Sequence, residues 1–466
     1  MNSGAPPPSQ RPEGTLPGQS RVGYFAGSEH IQIDNSTMID VGRDYNVYEG
    51  RTGLEDLQRS IAASAIHNAS RPAPRCHPGT REEPLQIING WLNGEKPTKR
   101  LLWLYGPAGA GKSSIAQTIA ESRAKDKLVA SFFFFRNDKE CGVPDRLFPT
   151  LAWQLAKAVP ETRSYIQSAF RAEPLLATKS IDFQFDELFV KVFESLLRDR
   201  PDFRPEKSLV VIDGIDECAG EQAQKDIIGL IGDALTQHNI PLYFLLCSRP
   251  EPHIQDAFHL ETMQNRECGI LELVDASADI RRYLKEEFSR IFTKRAMPRP
   301  SNTEINQLVA KSSGQFIFPS TVVKFVDDED CSARDQLDIV LGLQSSKSSS
   351  PFSSLDQLYT QILSQQPDIR LLRDVFVLVI AFGGTDIDFI CRRLRIKQDD
   401  LRRKLRRMHS LIHITNYIKI YHRSLHDFFQ DRRRAGRYYI NPWRVKMLQL
   451  PNNVRSLRRK VAMACV

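Results

Sequence analysis

Leu101-Leu102-Trp103-Leu104-Tyr105-Gly106-Pro107-Ala108-Gly109-Ala110-Gly111-Lys112-Ser113-Ser114 is the stretch that decides the fold. Its first five residues read as a strand buried on both faces. The next eight match GxxxxGK[ST], and the apolar spacing that follows predicts a helix over 113–124. Glycines at 106, 109 and 111 let backbone N–H groups curl around an anion without Cβ clashes. The helix N-terminus aims its dipole at the same place. Strand, loop and helix in this order predict that Gly106, Pro107, Ala108, Gly109, Ala110, Gly111, Lys112, Ser113 and Ser114 hold phosphates. Lys112 is expected to reach the β- and γ-phosphates of a nucleotide, and the Ser113 hydroxyl to ligate Mg²⁺.

Outward from this stretch, strand-like runs at Val129–Phe135, Leu209–Ile212, Leu242–Cys247 and Ile270–Val274 alternate with helical spacing around 146–158, 185–199 and 222–237. That alternation predicts an α/β fold with a mostly parallel sheet. Leu209–Ile212 runs into Asp213-Gly214-Ile215-Asp216-Glu217, an apolar strand ending in acids. Asp213 is placed to hold Mg²⁺ through water, and Asp216 or Glu217 to orient an attacking water. Ligands of open α/β sheets bind at these carboxyl ends. Leu245-Leu246-Cys247-Ser248-Arg249 ends another strand, where Arg249 is placed to sense or neutralise a γ-phosphate.

From Asp279 the spacing is helical at 279–292, 302–312, 316–326 and 333–342, and 355–430 reads as helices with a strand pair near Leu411–Ile420. The expected layout is a disordered terminus at 1–20, a segment of unknown role at 21–73 and a nucleotide-binding domain at 74–275. A helical domain at 276–343, a Ser-rich linker at 344–354, a winged-helix domain at 355–435 and a basic tail at 436–466 follow.

With 466 residues, 41% hydrophobic and 26% charged, the chain is an ordinary globular length for about three domains. The longest apolar run, Val375 to Phe382, is far short of the roughly 18 residues of a membrane span. The eight cysteines form no CxxC pair, which argues against a zinc site and for a reducing, cytoplasmic setting. The net charge of +8 is unevenly placed: residues 391–466 hold 21 Lys and Arg against 4 Asp and Glu. Such a block fits either an anionic partner or docking onto the acidic remainder of the chain.

WLYGPAGAGKSSIAQTIAE and VVIDGIDECAG together resemble fungal NACHT-domain proteins of the STAND class, relatives of NOD-like receptors. ASFFFFRND (130–138), LFPTLAWQLA (147–156) and SRPEPHIQDAF (248–258) resemble the same group. PRCHPGTREEPLQIINGWL (74–92) is similar to the lead-in that closes over the base, which makes Thr80 and Arg81 candidate contacts. GQFIF (314–318) is similar to the helical-domain contact, with Phe316 where many relatives have Pro. YHRSLHDFFQD (421–431) resembles the end of the winged helix, whose histidine would donate to the β-phosphate of ADP; His422 and His426 both stay open for that role. Sensor repeats and an N-terminal effector, common in the relatives, are not recognised here. A truncated gene product and sensing located elsewhere are the two readings.

The resemblance implies a nucleotide-operated signalling switch in non-self recognition or programmed cell death. It would bind ATP or ADP with Mg²⁺, hydrolyse slowly, self-associate when open and act on an effector protein. GTP stays open, because the loop reads phosphates rather than bases. A non-catalytic nucleotide-binding scaffold is one alternative. Nucleic-acid binding through Arg402, Arg403, Lys404, Arg406 and Arg407 is a less favoured one, since fold does not fix function.

Overall fold

The computed structural model describes residues 53–449 apart from 71, 95–98, 137, 206–207, 260–267, 344–351 and 367. The expected terminus at 1–20, the first part of the segment at 21–73, most of the Ser-rich linker and the tail beyond 449 lie outside the described residues.

Five parallel strands form the first sheet: β1 (Leu101–Tyr105), β2 (Leu128–Phe133), β3 (Leu209–Asp213), β4 (Tyr243–Ser248) and β5 (Cys268–Glu272), in the order β2-β3-β4-β1-β5. Period-two alternation sends Trp103, Val210, Ile212, Phe244 and Leu246 into one core, and Leu102, Leu104, Val211, Leu245 and Cys247 into the other. The strands read as unbroken apolar runs because both faces are covered. β5 is the exception: it lies at the sheet edge, and Ile270 is 52% exposed.

The first face carries α1 (Gly53–Arg59), α4 (Leu147–Ala158), α5 (Arg163–Ala172), α7 (Lys191–Asp199), α8 (Glu221–Thr236) and α9 (Pro252–His259). The short α6 (Ile181–Phe185) continues through a π turn, Asp186–Val190, into α7. α2 (Glu82–Asn93) and α3 (Lys112–Ser122) cover the other face.

Register brings the site together. Tyr105 pairs across from Ser248, and Asp213 from Cys247. β4 therefore stands between β1 and β3, so the Ser248-Arg249 corner emerges between the glycine-rich loop and Asp213.

The second half builds one continuous core running from Ala276 to Val445. It contains α10 (Ser277–Lys294), α11 (Asn302–Ser312), α12 (Ile317–Val326), α13 (Ala333–Gly342), α14 (Ser353–Ser364) and α15 (Ile369–Phe382). α16 (Ile387–Leu394), α17 (Gln398–Leu405) and a hairpin of β7 (Ile412–Ile414) and β8 (Tyr417–Ile420) follow. β6 (Thr385–Asp386) pairs antiparallel with β8, giving a small sheet ordered β6-β8-β7. α18 (Arg423–Gln430), α19 (Arg432–Ala435) and α20 (Pro442–Gln449) close the described chain.

Three expected boundaries move. Residues 53–70 belong with the sheet domain rather than with a separate N-terminal segment. Leu57, Ala62 and Ala65 lie in its core, the Ala62 N–H donates to Thr150, and Gln117 donates to the His67 carbonyl. At the other end, 436–449 is not a free tail: Tyr438, Ile440 and Val445 are buried in the second core. Ser353 and Ser354, expected in the linker, open α14 instead.

Candidate functional site at the phosphate loop

The loop is shaped by left-handed glycines. Gly109 has φ 78° and Gly111 φ 90°, values that L side chains rarely adopt. A Cβ at Gly109 would also come within 2.8 Å of the Ile317 Cβ, so this glycine lets α12 pack onto the loop. Gly111 precedes α3 without a side-chain cap, leaving the first N–H groups of the helix to the loop concavity. The Lys112 ammonium donates to the carbonyls of Gly106 (2.8 Å) and Pro107 (3.0 Å). Burial lowers its pKa; Asp216 and Asp213 oppose that, while Arg249 adds to it. The ammonium thus sits in a partly dry site, where an anion gains most from it.

Asp213 ends β3 at 3% exposure, beside the Ser113 hydroxyl. Burial pushes its carboxyl up to about 7, helped by Glu217 and Asp216 and opposed by Ser113 and Lys112. Its Oδ1 is buried with no hydrogen-bond partner among the described residues. A buried, unpartnered carboxylate oxygen beside a hydroxyl is a donor set that suits Mg²⁺, which takes one or two protein oxygens and completes its shell with water and phosphate. No cluster of three or more His, Cys, Asp or Glu fit to hold a metal exists among the described residues. Ser113 and Asp213 fit a Mg²⁺ that completes its shell with phosphate and water.

Asp216 and Glu217 differ sharply. The Asp216 carboxylate accepts the Arg249 backbone N–H (2.9 Å) and a guanidinium hydrogen bond from Arg423, with the Arg249 side chain 3.5 Å away. Glu217 accepts the Arg136 backbone N–H (3.1 Å) and forms no ion pair among the described residues. Burial and the neighbouring Asp216 raise its pKa.

Arg249, expected to face a γ-phosphate, is engaged elsewhere: its guanidinium donates to Asp427 of α18 at 2.9 Å. Burial alone would raise Asp427, but Arg249 and Arg423 outweigh it and hold the carboxyl below its usual range. Arg136 donates to the Asp216 carbonyl at 2.9 Å. Asp216, Arg249, Asp427 and Arg423 thus form a charge cluster that ties α18 to the ends of β3 and β4. Arg136, Arg423 and Asp427 were not singled out from sequence. Opposite charges more than 170 residues apart carry no mark of partnership in a single sequence, and the only signal was that Arg136, Arg423 and Asp427 fall inside quoted motifs.

The two histidines also separate. His422 caps α18: its Nδ1 accepts the Ser424 N–H (3.1 Å) and lies 2.8 Å from the Ser424 hydroxyl, which in turn meets Tyr359 at 2.7 Å. Burial lowers its pKa to about 3, with Arg249 and Lys112 adding to the shift and Asp427 opposing it. A neutral ring whose Nδ1 accepts carries its proton on Nε2. His422 is therefore a neutral donor within electrostatic reach of Lys112. His426 lines a small cavity with Phe135, Arg136, Glu217 and Arg423, and burial lowers its pKa to about 4.

Thr80 and Arg81 are both buried. Thr80 donates to the His77 carbonyl (2.7 Å) and so closes the turn before α2. Arg81 has φ 57°, donates its N–H to Asp279 (3.0 Å) and its guanidinium to the Ala110 carbonyl (2.6 Å), and stacks over Phe316. The lead-in, the phosphate loop and α10 thus meet at Arg81.

Residues 84–249 match the family model for the nephrocystin 3 N-terminal region. A search for curated relatives by sequence finds none. Among solved structures, a Walker-type ATPase of Pyrococcus abyssi is similar at 17% identity and TM-score 0.39, covering 75% of this chain and 96% of that one. The Orc1 protein of Aeropyrum pernix in complex with DNA is similar at 12% identity and TM-score 0.31, covering 74% and 88%. Domain III of the Thermotoga maritima replication initiation protein DnaA is similar at 10% identity and TM-score 0.31, covering 57% and 92%. The chain's own sheet order, loop and flanking helix make it an α/β protein of the P-loop NTPase fold with a helical C-terminal half.

Proposed function

We propose that the chain is a nucleotide-operated signalling switch of the NACHT/STAND kind, with ADP and Mg²⁺ held in a closed state that ATP opens for self-association. The observation that carries this reading is the charge cluster in which Arg423 and Asp427 of α18 reach Asp216 and Arg249 at the phosphate-loop site. We read 355–435 as a winged helix. In that position it covers the nucleotide site and can respond to what the site holds.

In this reading Gly106 to Ser114 cradle the phosphates, Lys112 binds the β- and γ-phosphates, and Ser113 with Asp213 would hold Mg²⁺. Thr80 and Arg81 lie on the base side. Glu217, the acid with no guanidinium partner among the described residues, orients water for slow hydrolysis. Asp216 serves the closed state instead, because two guanidinium groups already hold it. His422 is the better placed histidine for a β-phosphate, since its Nε2 proton is available and its charge is suppressed. Arg249 would exchange Asp427 for a γ-phosphate. An effector protein and a role in non-self recognition or cell death follow from the resemblance. Adenine nucleotides are favoured over guanine ones on the same ground.

The test is to denature the purified protein and identify the released nucleotide by chromatography. Bound ADP supports the switch, GDP moves it to guanine, and an empty site contradicts it.

A further inference from the structure

We propose that the groove between α17 and the β7–β8 hairpin binds a soluble anion carrying two or more phosphate groups. The groove is open, about 440 Å³ in volume, and its lining includes Arg402, Arg403, Arg406, His409, His413 and Tyr421. No carboxylate lines it. A concavity whose lining carries basic groups and no acids concentrates counter-ions even with aspartates at its rim, and 440 Å³ suits a small molecule. Arginine forks match phosphate oxygens in pairs, which a single point charge does not.

The arginines are available for such a ligand. The side chains of Arg403 and Arg406 are 77% and 69% exposed, and their partners Asp400 and Asp330 are themselves 42% and 36% exposed. Pairs this wet exchange readily. Arg402 donates to the Thr415 carbonyl at 2.7 Å through one of its five N–H groups. His413 lies nearly parallel to Tyr421, with centroids 6.0 Å and planes 19° apart, and the Lys324 ammonium sits 3.3 Å over the Tyr421 ring, which adds a cation at this edge of the groove. His409 Nε2 donates to the Lys324 carbonyl of α12 (2.8 Å), so an occupant would also bridge the helical part and the hairpin unit.

A small ligand fits better than a nucleic-acid strand. The basic groups converge on one concavity instead of tracking a backbone. Asp328, Asp330 and Asp400 stand beside them, within ion-pair range of His409, Arg406 and Arg403, and would repel a continuing polyanion. The groove's lining shares no residue with the phosphate loop, and the inference does not depend on the switch reading.

The experiment is calorimetric titration of inorganic tripolyphosphate into the full chain carrying Lys112→Ala, which removes the ammonium of the phosphate loop. One saturable site is expected, weakened at least tenfold by adding Arg402→Gln with Arg406→Gln. Adding Arg432→Gln with Arg433→Gln, exposed arginines outside the groove, should leave it unchanged. Circular dichroism melts check that each variant folds. Absence of saturable binding overturns the proposal, as does equal weakening by both pairs, which would mean diffuse charge. Tighter binding of a short DNA duplex that the groove pair abolishes would replace it with a nucleic-acid surface.

Discussion

Lys112 carries the charge that phosphates need, and its ammonium already rests on loop carbonyls. Lys112→Ala should weaken nucleotide binding at least about 100-fold, equivalent to about 2.8 kcal/mol, while the fold survives. A fluorescent-nucleotide titration checks it. The two acids after β3 should part company. Glu217→Gln should keep binding and slow single-turnover hydrolysis at least about tenfold, because it loses the charge that orients water. Asp216→Asn should act mainly on the closed state, since its carboxylate holds Arg423. At this scale the sequence was most legible where chemistry demands residue types at fixed spacing. Lys112, Ser113 and Asp213 meet in space as their motifs imply. What stayed hidden was commitment: nothing in the string says that Arg249 is held by Asp427 or that His422 turns its Nδ1 onto its own helix.

Elements follow from burial. The β1, β3 and β4 runs are strands because each residue type suits a two-sided core, and their apolar continuity made them readable. α5 escaped notice because only Ile166 and Phe170 of its ten residues are buried, a pattern too sparse to stand out in a polar stretch. The π turn at Asp186–Val190 falls inside the stretch that reads as helical from 185, and a single wide turn leaves no separate mark in the sequence. Between elements, Gly109 is the tightest joint, because left-handed backbone and the approach of Ile317 coincide there. Gly109→Ala should cost about 1–3 kcal/mol in thermal or denaturant unfolding and should displace α12 from the loop. A variant as stable as the parent would mean that the loop and α12 do not pack this closely.

For the whole molecule, the basic C-terminal block is distributed as ion pairs onto acids earlier in the chain: Arg406 with Asp330, Arg434 with Asp356, Arg444 with Asp374 and Arg423 with Asp216. Composition revealed the block but not its targets, and the helical and hairpin parts share a core that composition cannot show. Acid should loosen this arrangement. His422 and His426 have folded pKa values of about 3 and about 4, below the ordinary 6.5 of the unfolded chain. The unfolded state therefore binds protons first as pH falls. Their contribution is fully present above about pH 6.5 and is lost as pH drops towards 4, at about 1.4 kcal/mol per pH unit per proton. The pH slope of stability should shrink by about one proton in His426→Gln, measured by denaturant unfolding across that window.

The central claim is that α18 closes over the nucleotide through the Asp216, Arg249, Asp427 and Arg423 cluster. It is tested most directly by the dissociation rate of fluorescent ADP from the parent and from Arg423→Gln, with circular dichroism confirming the fold. Release at least about tenfold faster from the variant, about 1.4 kcal/mol of lost closure, is the predicted result. Identical release rates in a folded variant would contradict the account, because the nucleotide would then be held without the help of α18.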